Sequence, residues 1–260
     1  MFYIYHMEFF VDKGSIVRKI WGKGDTVLFI FAGASAEFAL NKAVDWLYFT
    51  GRLPADPLGR LFSTVSYARQ IVFSNTGNAH TAIGKITSIH TVVENSRQSK
   101  IPDWAYRDVL FMLIHYSQAS FELLERKMTN EEKEDLFDVF YRMGTRMGLK
   151  DLPADYEQWT TMRDEHLQND LAKSHYTTDL YKQYRKHLGL IRFFLLKESQ
   201  KLVVPPLACR LLGLGKFSWL TPILFIYKIS RIVKLDWFLK SIVLPAAYKK
   251  QIRELDIVPV

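Results

Sequence analysis

The sequence predicts a mainly α chain folded as one all-helical domain, and three observations carry that prediction. Apolar residues recur at three- and four-residue intervals over most of the chain, whereas two-residue alternation is rare. Prolines and glycines fall where long helices would start and stop. Lastly, 260 residues at 48% hydrophobic and 24% charged are enough to bury one core without covalent staples. The single cysteine, Cys209, excludes an intramolecular disulfide and any all-cysteine metal or iron–sulfur site.

Residues 26–48 carry only Glu37, Lys42 and Asp45 as charges and close on Gly51, Pro54 and Pro57, which predicts a first long helix. Pro57 sets the first turn of a second, over 57–73. A third follows the turn Asn75-Thr76-Gly77-Asn78 and runs to about Arg97; a fourth starts at Pro102 and reaches Lys127. Thr129 and Glu132 form a capping box that opens a fifth, ending near Met147. Asp151-Leu152-Pro153 reads as a turn, residues 156–171 and 177–197 as two further helices, and Pro205-Pro206 as a break. Beyond it lies a basic, apolar tail.

The charge balance is +8, and it is unevenly placed: residues 201–250 hold nine Lys or Arg against Asp236, and the remainder nets to zero. These cations alternate with apolar stretches such as 219–227, a mixture that suits an anionic membrane surface better than nucleic acid. Ile226, Ile229, Val233 and Trp237 recur at intervals of three or four, as expected of a helix lying along an interface or packed on the core. The charge-free runs 26–36, 109–121 and 217–227 fall short of the roughly 20 residues a bilayer-spanning helix needs. The first eight residues lack a positive n-region and meet Glu8 early, so no signal peptide is expected and the cytoplasm is the default location.

Several chemistries are excluded by search. The chain has no phosphate-binding Walker loop, no dinucleotide GxGxxG, no HExxH and no Gly-x-Ser-x-Gly elbow. No glutamate is followed three residues later by histidine, so the ligand pairs of a helical di-iron site are missing. What remains is polar chemistry on apolar helix faces. Ile83, Ile86, His90 and Val93 form one stripe of the third helix, committing an imidazole to the interior, either as a hydrogen-bonded core histidine or as a ligand. Asp108, Phe111, His115, Gln118 and Glu122 thread the fourth helix, as an internal network or as a binding site. Arg60, Thr64 and Tyr67 share one side of the second. An arginine in a first turn is by itself a surface residue.

The segments 57–67, 89–94, 113–121 and 152–156 resemble, in their order and spacing, the MpaB/latex-clearing rubber oxygenase family, and the similarity spans about residues 15–195. The resemblance implies an all-helical domain with a globin-like core, taken as residues 1–200, while charge and periodicity make residues 201–260 a basic amphipathic helical extension packed on it or on a membrane surface. It implies a haem-dependent oxygenase that binds haem b and uses dioxygen on a hydrophobic, isoprenoid- or lipid-like substrate. Carried over by position, His90 would be the proximal iron ligand, Arg60 and Thr64 the catalytic Arg-x-x-x-Thr pair, and His115 a second family histidine. Arg60 and Tyr67 would contact the cofactor. Several positions depart from the family pattern: Ser63 stands where rubber-cleaving members can offer a lysine, Asn41-Lys42 where many members have a histidine-proline, and Glu94 and Arg97 follow His90 where many members have an Arg-Gly. Glu37 and Asp45 are the nearest candidates for the family's glutamate. Two further functions fit the same fold, a non-enzymatic helical lipid-binding protein and a membrane-surface scaffold with structural histidines.

Overall fold

The computed structural model describes residues 8–232. Among them the architecture is all helical, with no strand and two isolated β-bridges, Phe9 to Asn75 and Asn41 to Leu171. The helices are α1 (Ile16–Trp21), α2 (Gly24–Leu40), α3 (Val44–Phe49), α4 (Arg52–Ala55), α5 (Pro57–Phe73) and α6 (Thr76–Arg97). They continue with α7 (Asp103–Leu124), α8 (Asn130–Met147), α9 (Tyr156–Asn169), α10 (His175–Val203), α11 (Pro206–Leu212) and α12 (Leu220–Ile232).

Most long helices open on a side chain that satisfies an otherwise orphaned N–H of the first turn. Asp56 accepts from Gly59 N at 2.9 Å, Asn75 from Asn78 N at 2.8 Å and Asp155 from Gln158 N at 2.8 Å, while Thr129 with Glu132 and Ser174 with Thr177 form capping boxes. Each such cap stabilises its helix by about 1 kcal/mol. The apolar faces then converge on α2, which runs through the centre against α7 and α10. Trp21, Ile30, Leu40, Ile71, Met112 and Leu136 are fully enclosed, and each contributes roughly 1.5–3 kcal/mol relative to an exposed side chain. Gly33 permits the closest crossing: a Cβ there would stand 2.1 Å from Cδ1 of Tyr116, so only glycine lets α7 lie this near α2.

Sequence and structure agree at α5, throughout α8, at the end of α6 and at the start of α9, and differ at other boundaries for identifiable reasons. The helix expected over residues 26–48 stops at Leu40, because Asn41 turns extended, accepts the Ala43 N–H on Oδ1 and donates Nδ2 to Asp108 on α7. Asn75 is the N-cap of α6, so Thr76, Gly77 and Asn78 lie in the helix rather than in a turn before it. Pro102 is likewise a cap, and α7 ends at Leu124 because Glu122 turns its carboxylate onto Met128 N and Lys127. α10 extends past both expected ends but is broken at Gly189, whose φ of 72° is outside the helical region. Beyond residue 200, α11 buries Ala208 in the main core.

α12 turns Leu220, Leu224 and Tyr227 partly inward, and the Tyr227 hydroxyl donates to Asp25 Oδ2 at 2.9 Å. The apolar stripe expected to begin at Ile226 points the other way, with that residue 63% exposed. Its other members lie outside what is described, Val233 and Trp237 altogether and Ile229 in its side chain. No helix among the described residues is long and apolar enough to cross a membrane.

Candidate functional site

α5 and α6 are joined by a two-residue link, Ser74 and Asn75, so they form a hairpin whose facing sides are set by helical periodicity alone. Arg60, Ser63, Thr64 and Tyr67 from α5 and Ile86, His90 and Val93 from α6 line one cavity of about 660 Å³. The opposite wall comes from Tyr106, Val109 and Leu113 of α7, Met143 and Met147 of α8, Leu53 of α4 and Tyr184 of α10. The size lies within the range of small-molecule and cofactor sites, and the lining is mostly apolar with a few convergent polar groups.

His90 is the central polar group of this cavity. Its Nδ1 is buried and has no hydrogen-bond partner among the described residues, and the Tyr106 ring lies 5.1 Å away, tilted against it. Burial, reinforced by the nearby Arg60 guanidinium, pulls the imidazole down to about 4, so at neutral pH it is uncharged and keeps a free lone pair. Arg60 is half-buried, and burial followed by the neighbouring Arg52 lowers its own value. Its Nη1 lies 3.3 Å from Ser63 Oγ and 3.5 Å from Thr64 Oγ1, and no carboxylate among the described residues pairs with it. Thr64 donates its hydroxyl to the Arg60 carbonyl at 3.1 Å, which fixes the rotamer beneath the guanidinium.

The structure therefore brings Arg60, Thr64, Tyr67 and His90 together and leaves His115 out. His115 lies off the cavity wall, its ring 5.0 Å from that of Tyr116, with burial and then Arg163 drawing it down to about 4. The polar stripe of α7 proves to be an internal network: Asp108 meets Asn41 and His166, Gln118 meets Glu122 and the Tyr156 hydroxyl. Asp45 pairs with Arg97 at 2.6 Å.

A second polar centre, with no counterpart in the expectations apart from Glu37 and Asp108, sits in the core. Glu37 is fully buried, paired through both oxygens with Arg163, and accepts the Tyr116 hydroxyl at 2.7 Å. His166 bridges Glu37, at 3.2 Å from Nε2, to Asp108 at 2.7 Å and Asp170 at 3.2 Å from Nδ1. Against the burial that alone would lower it, hydrogen bonds to Asp108 and Glu37 raise His166 to about 9. Against burial that would raise it, Arg163 and then His166 hold the Glu37 carboxyl well below the ordinary range. Asp108, His166 and Asp170 present ligand atoms within 4.8 Å of one another, a set that could hold a metal ion, although at neutral pH the shared proton of the imidazolium already satisfies these carboxylates. The sequence signal for this centre is Glu37 itself, an acid deep in an apolar helix, since a buried carboxylate requires a partner. Asn41 is common to both centres: it lines the cavity and donates to Asp108.

Fold and site define a helical protein that encloses an apolar chamber with a neutral imidazole and an unpaired guanidinium on one wall. The chain belongs to the family described as ER-bound oxygenase mpaB/B'/Rubber oxygenase, catalytic domain, which matches residues 18–225. No protein of curated function and no solved structure matches the chain. Membership implies an oxygenase domain whose reactants are a substrate and dioxygen, with a metal or haem cofactor.

Proposed function

We propose that the protein is a haem b-dependent oxygenase acting with dioxygen on a hydrophobic, isoprenoid- or lipid-like substrate. The observation that carries the proposal is His90, an uncharged imidazole without a hydrogen-bond partner on the wall of an apolar cavity large enough for a cofactor. A free imidazole lone pair in such surroundings would serve as a ligand to haem iron, and these residues fit that group. Haem, when bound, supplies the redox chemistry of dioxygen. His90 would hold the iron through one ring nitrogen, with the Tyr106 ring packed 5.1 Å from the imidazole. Arg60 keeps most of its five N–H donors free of protein acceptors, so it binds and orients an electron-rich group of cofactor, oxygen or substrate, with Thr64 setting the guanidinium and Tyr67 adding a phenol on the same side. The walls at Val109, Leu113, Met143 and Met147 take an apolar chain and exclude water.

The test is spectroscopic. Purified protein titrated with haemin should develop a Soret band with a saturable stoichiometry, and His90→Ala should abolish it while His115→Ala retains it. Full haem retention by the His90 variant would remove the assignment of the ligand.

A further inference from the structure

We propose that the outer face formed by the second half of α10, the turn at residues 217–219 and α12 docks on an anionic lipid bilayer. The face is apolar on the side away from the protein. Phe217, Trp219, Phe225 and Ile226 are 60%, 65%, 68% and 63% exposed, and Ile191 on α10 is 78% exposed. An amphipathic helix packed on a core turns polar side chains outward. α12 instead presents isoleucine and phenylalanine to the outside as well as Leu220, Leu224 and Tyr227 to the inside. Large aromatic and aliphatic side chains exposed together mark an interaction surface.

The face is held in place by specific bonds, so its orientation is not accidental. Glu198 of α10 accepts the Trp219 N–H at 2.8 Å, Ser218 donates to the Glu198 carbonyl at 2.9 Å, and the Tyr227 hydroxyl ties α12 to Asp25.

Charge selects the partner. Residues 190–228 contain Arg192, Lys197, Lys201, Arg210, Lys216 and Lys228 against one acid, Glu198. That acid is buried and already pairs with Lys201 at 2.6 Å. Lys216 and Lys228 have no carboxylate partner among the described residues. A second copy of the chain would set cation against cation. An anionic headgroup layer instead offers counter-charges to the lysines and, just beneath, an apolar layer for the aromatic rings, which favour that depth. This surface is independent of what the cavity holds, so it stands or falls apart from the haem assignment.

Flotation of the full-length protein with vesicles tests the proposal. On phosphatidylcholine vesicles containing about a third phosphatidylserine, the protein should co-float at low salt, be released as salt rises, and bind pure phosphatidylcholine more weakly. The double variant Trp219→Ser, Phe225→Ser should weaken partitioning roughly tenfold or more with an unchanged thermal melt, since both side chains are exposed. Lys216→Glu with Lys228→Glu should remove the preference for anionic lipid. Absence of wild-type flotation, or flotation that both double variants retain in full, overturns the proposal. So does a concentration-dependent dimer, seen by sedimentation, that the Trp219, Phe225 variant dissolves while no form binds vesicles.

Discussion

His90 and His166 each lie on the inward side of a long helix, yet one is drawn down to about 4 and the other raised to about 9. The difference is made by neighbours. His166 touches three carboxylates, and its two ring N–H groups serve them, Nε2 toward Glu37 and Nδ1 toward Asp108 and Asp170. His90 has the Arg60 cation near it and a ring face of Tyr106, but no acceptor at Nδ1. In the Glu37–His166 centre polar groups are consumed by one another. Around His90 the imidazole Nδ1 and most of the Arg60 donors are left without protein acceptors among the described residues, and their capacity is directed into the cavity. Burial of a histidine therefore says little about its role until its partners have been counted.

The contrast is broken most severely at Arg163. Replacing it by methionine leaves the Glu37 carboxylate enclosed with only Tyr116 and His166 to support it, and denaturant unfolding should show a loss of about 3–5 kcal/mol. His90→Ala, measured in the same way without haem, should cost under about 1 kcal/mol, because no bond is lost. Equal losses would erase the distinction between the centres.

The pH dependence is the next largest effect. An unfolded histidine titrates near 6.5, and folding raises His166 to about 9. Its stabilisation is thus complete below about pH 6.5 and is lost as pH rises through about 9, amounting to at most about 3 kcal/mol. Unfolding free energies collected across this window should fall, and His166→Gln should flatten the alkaline limb. A wild-type curve that stays level over the window would show that the imidazolium is not what binds the carboxylates.

Smallest is the effect at the helix crossing. Gly33→Ala forces Tyr116 aside and with it the hydroxyl on Glu37, so a loss of about 1–3 kcal/mol is expected, with haem binding unaltered. A shifted Soret band in this variant would mean that the core centre and the cavity are coupled, with Asn41 as the residue common to both.

The two centres also differed in how much of each could be read from the sequence. Arg60, Thr64 and Tyr67 on one helix and His90 on the next were each put on one face by periodicity, but only the family resemblance joined the two faces in one site, and the two-residue link between the helices is what makes them meet. Pro57 and the Thr129–Glu132 box marked helix starts because caps are local chemistry. Glu37 and its partners Arg163 and His166 are separated by 126 and 129 positions, and nothing local announces such a pairing. The same holds for the end of α2, where Asn41 is turned out of the helix by a bond to Asp108 sixty-seven residues on. The outward apolar face of α12 was obscured because its stripe residues were read as one side of a helix, when both sides are apolar.

The α5–α6 hairpin carries every polar group proposed to act on cofactor or oxygen, while the facing wall is assembled from α4, α7, α8 and α10. On the proposed reading, reactivity and selectivity are thereby lodged in separate stretches of the chain. Changes at Leu53, Leu113, Met147 or Tyr184 can reshape what the chamber admits without displacing Arg60 or His90, so descendants of one ancestral oxygenase can diverge in diet while inheriting the same chemistry.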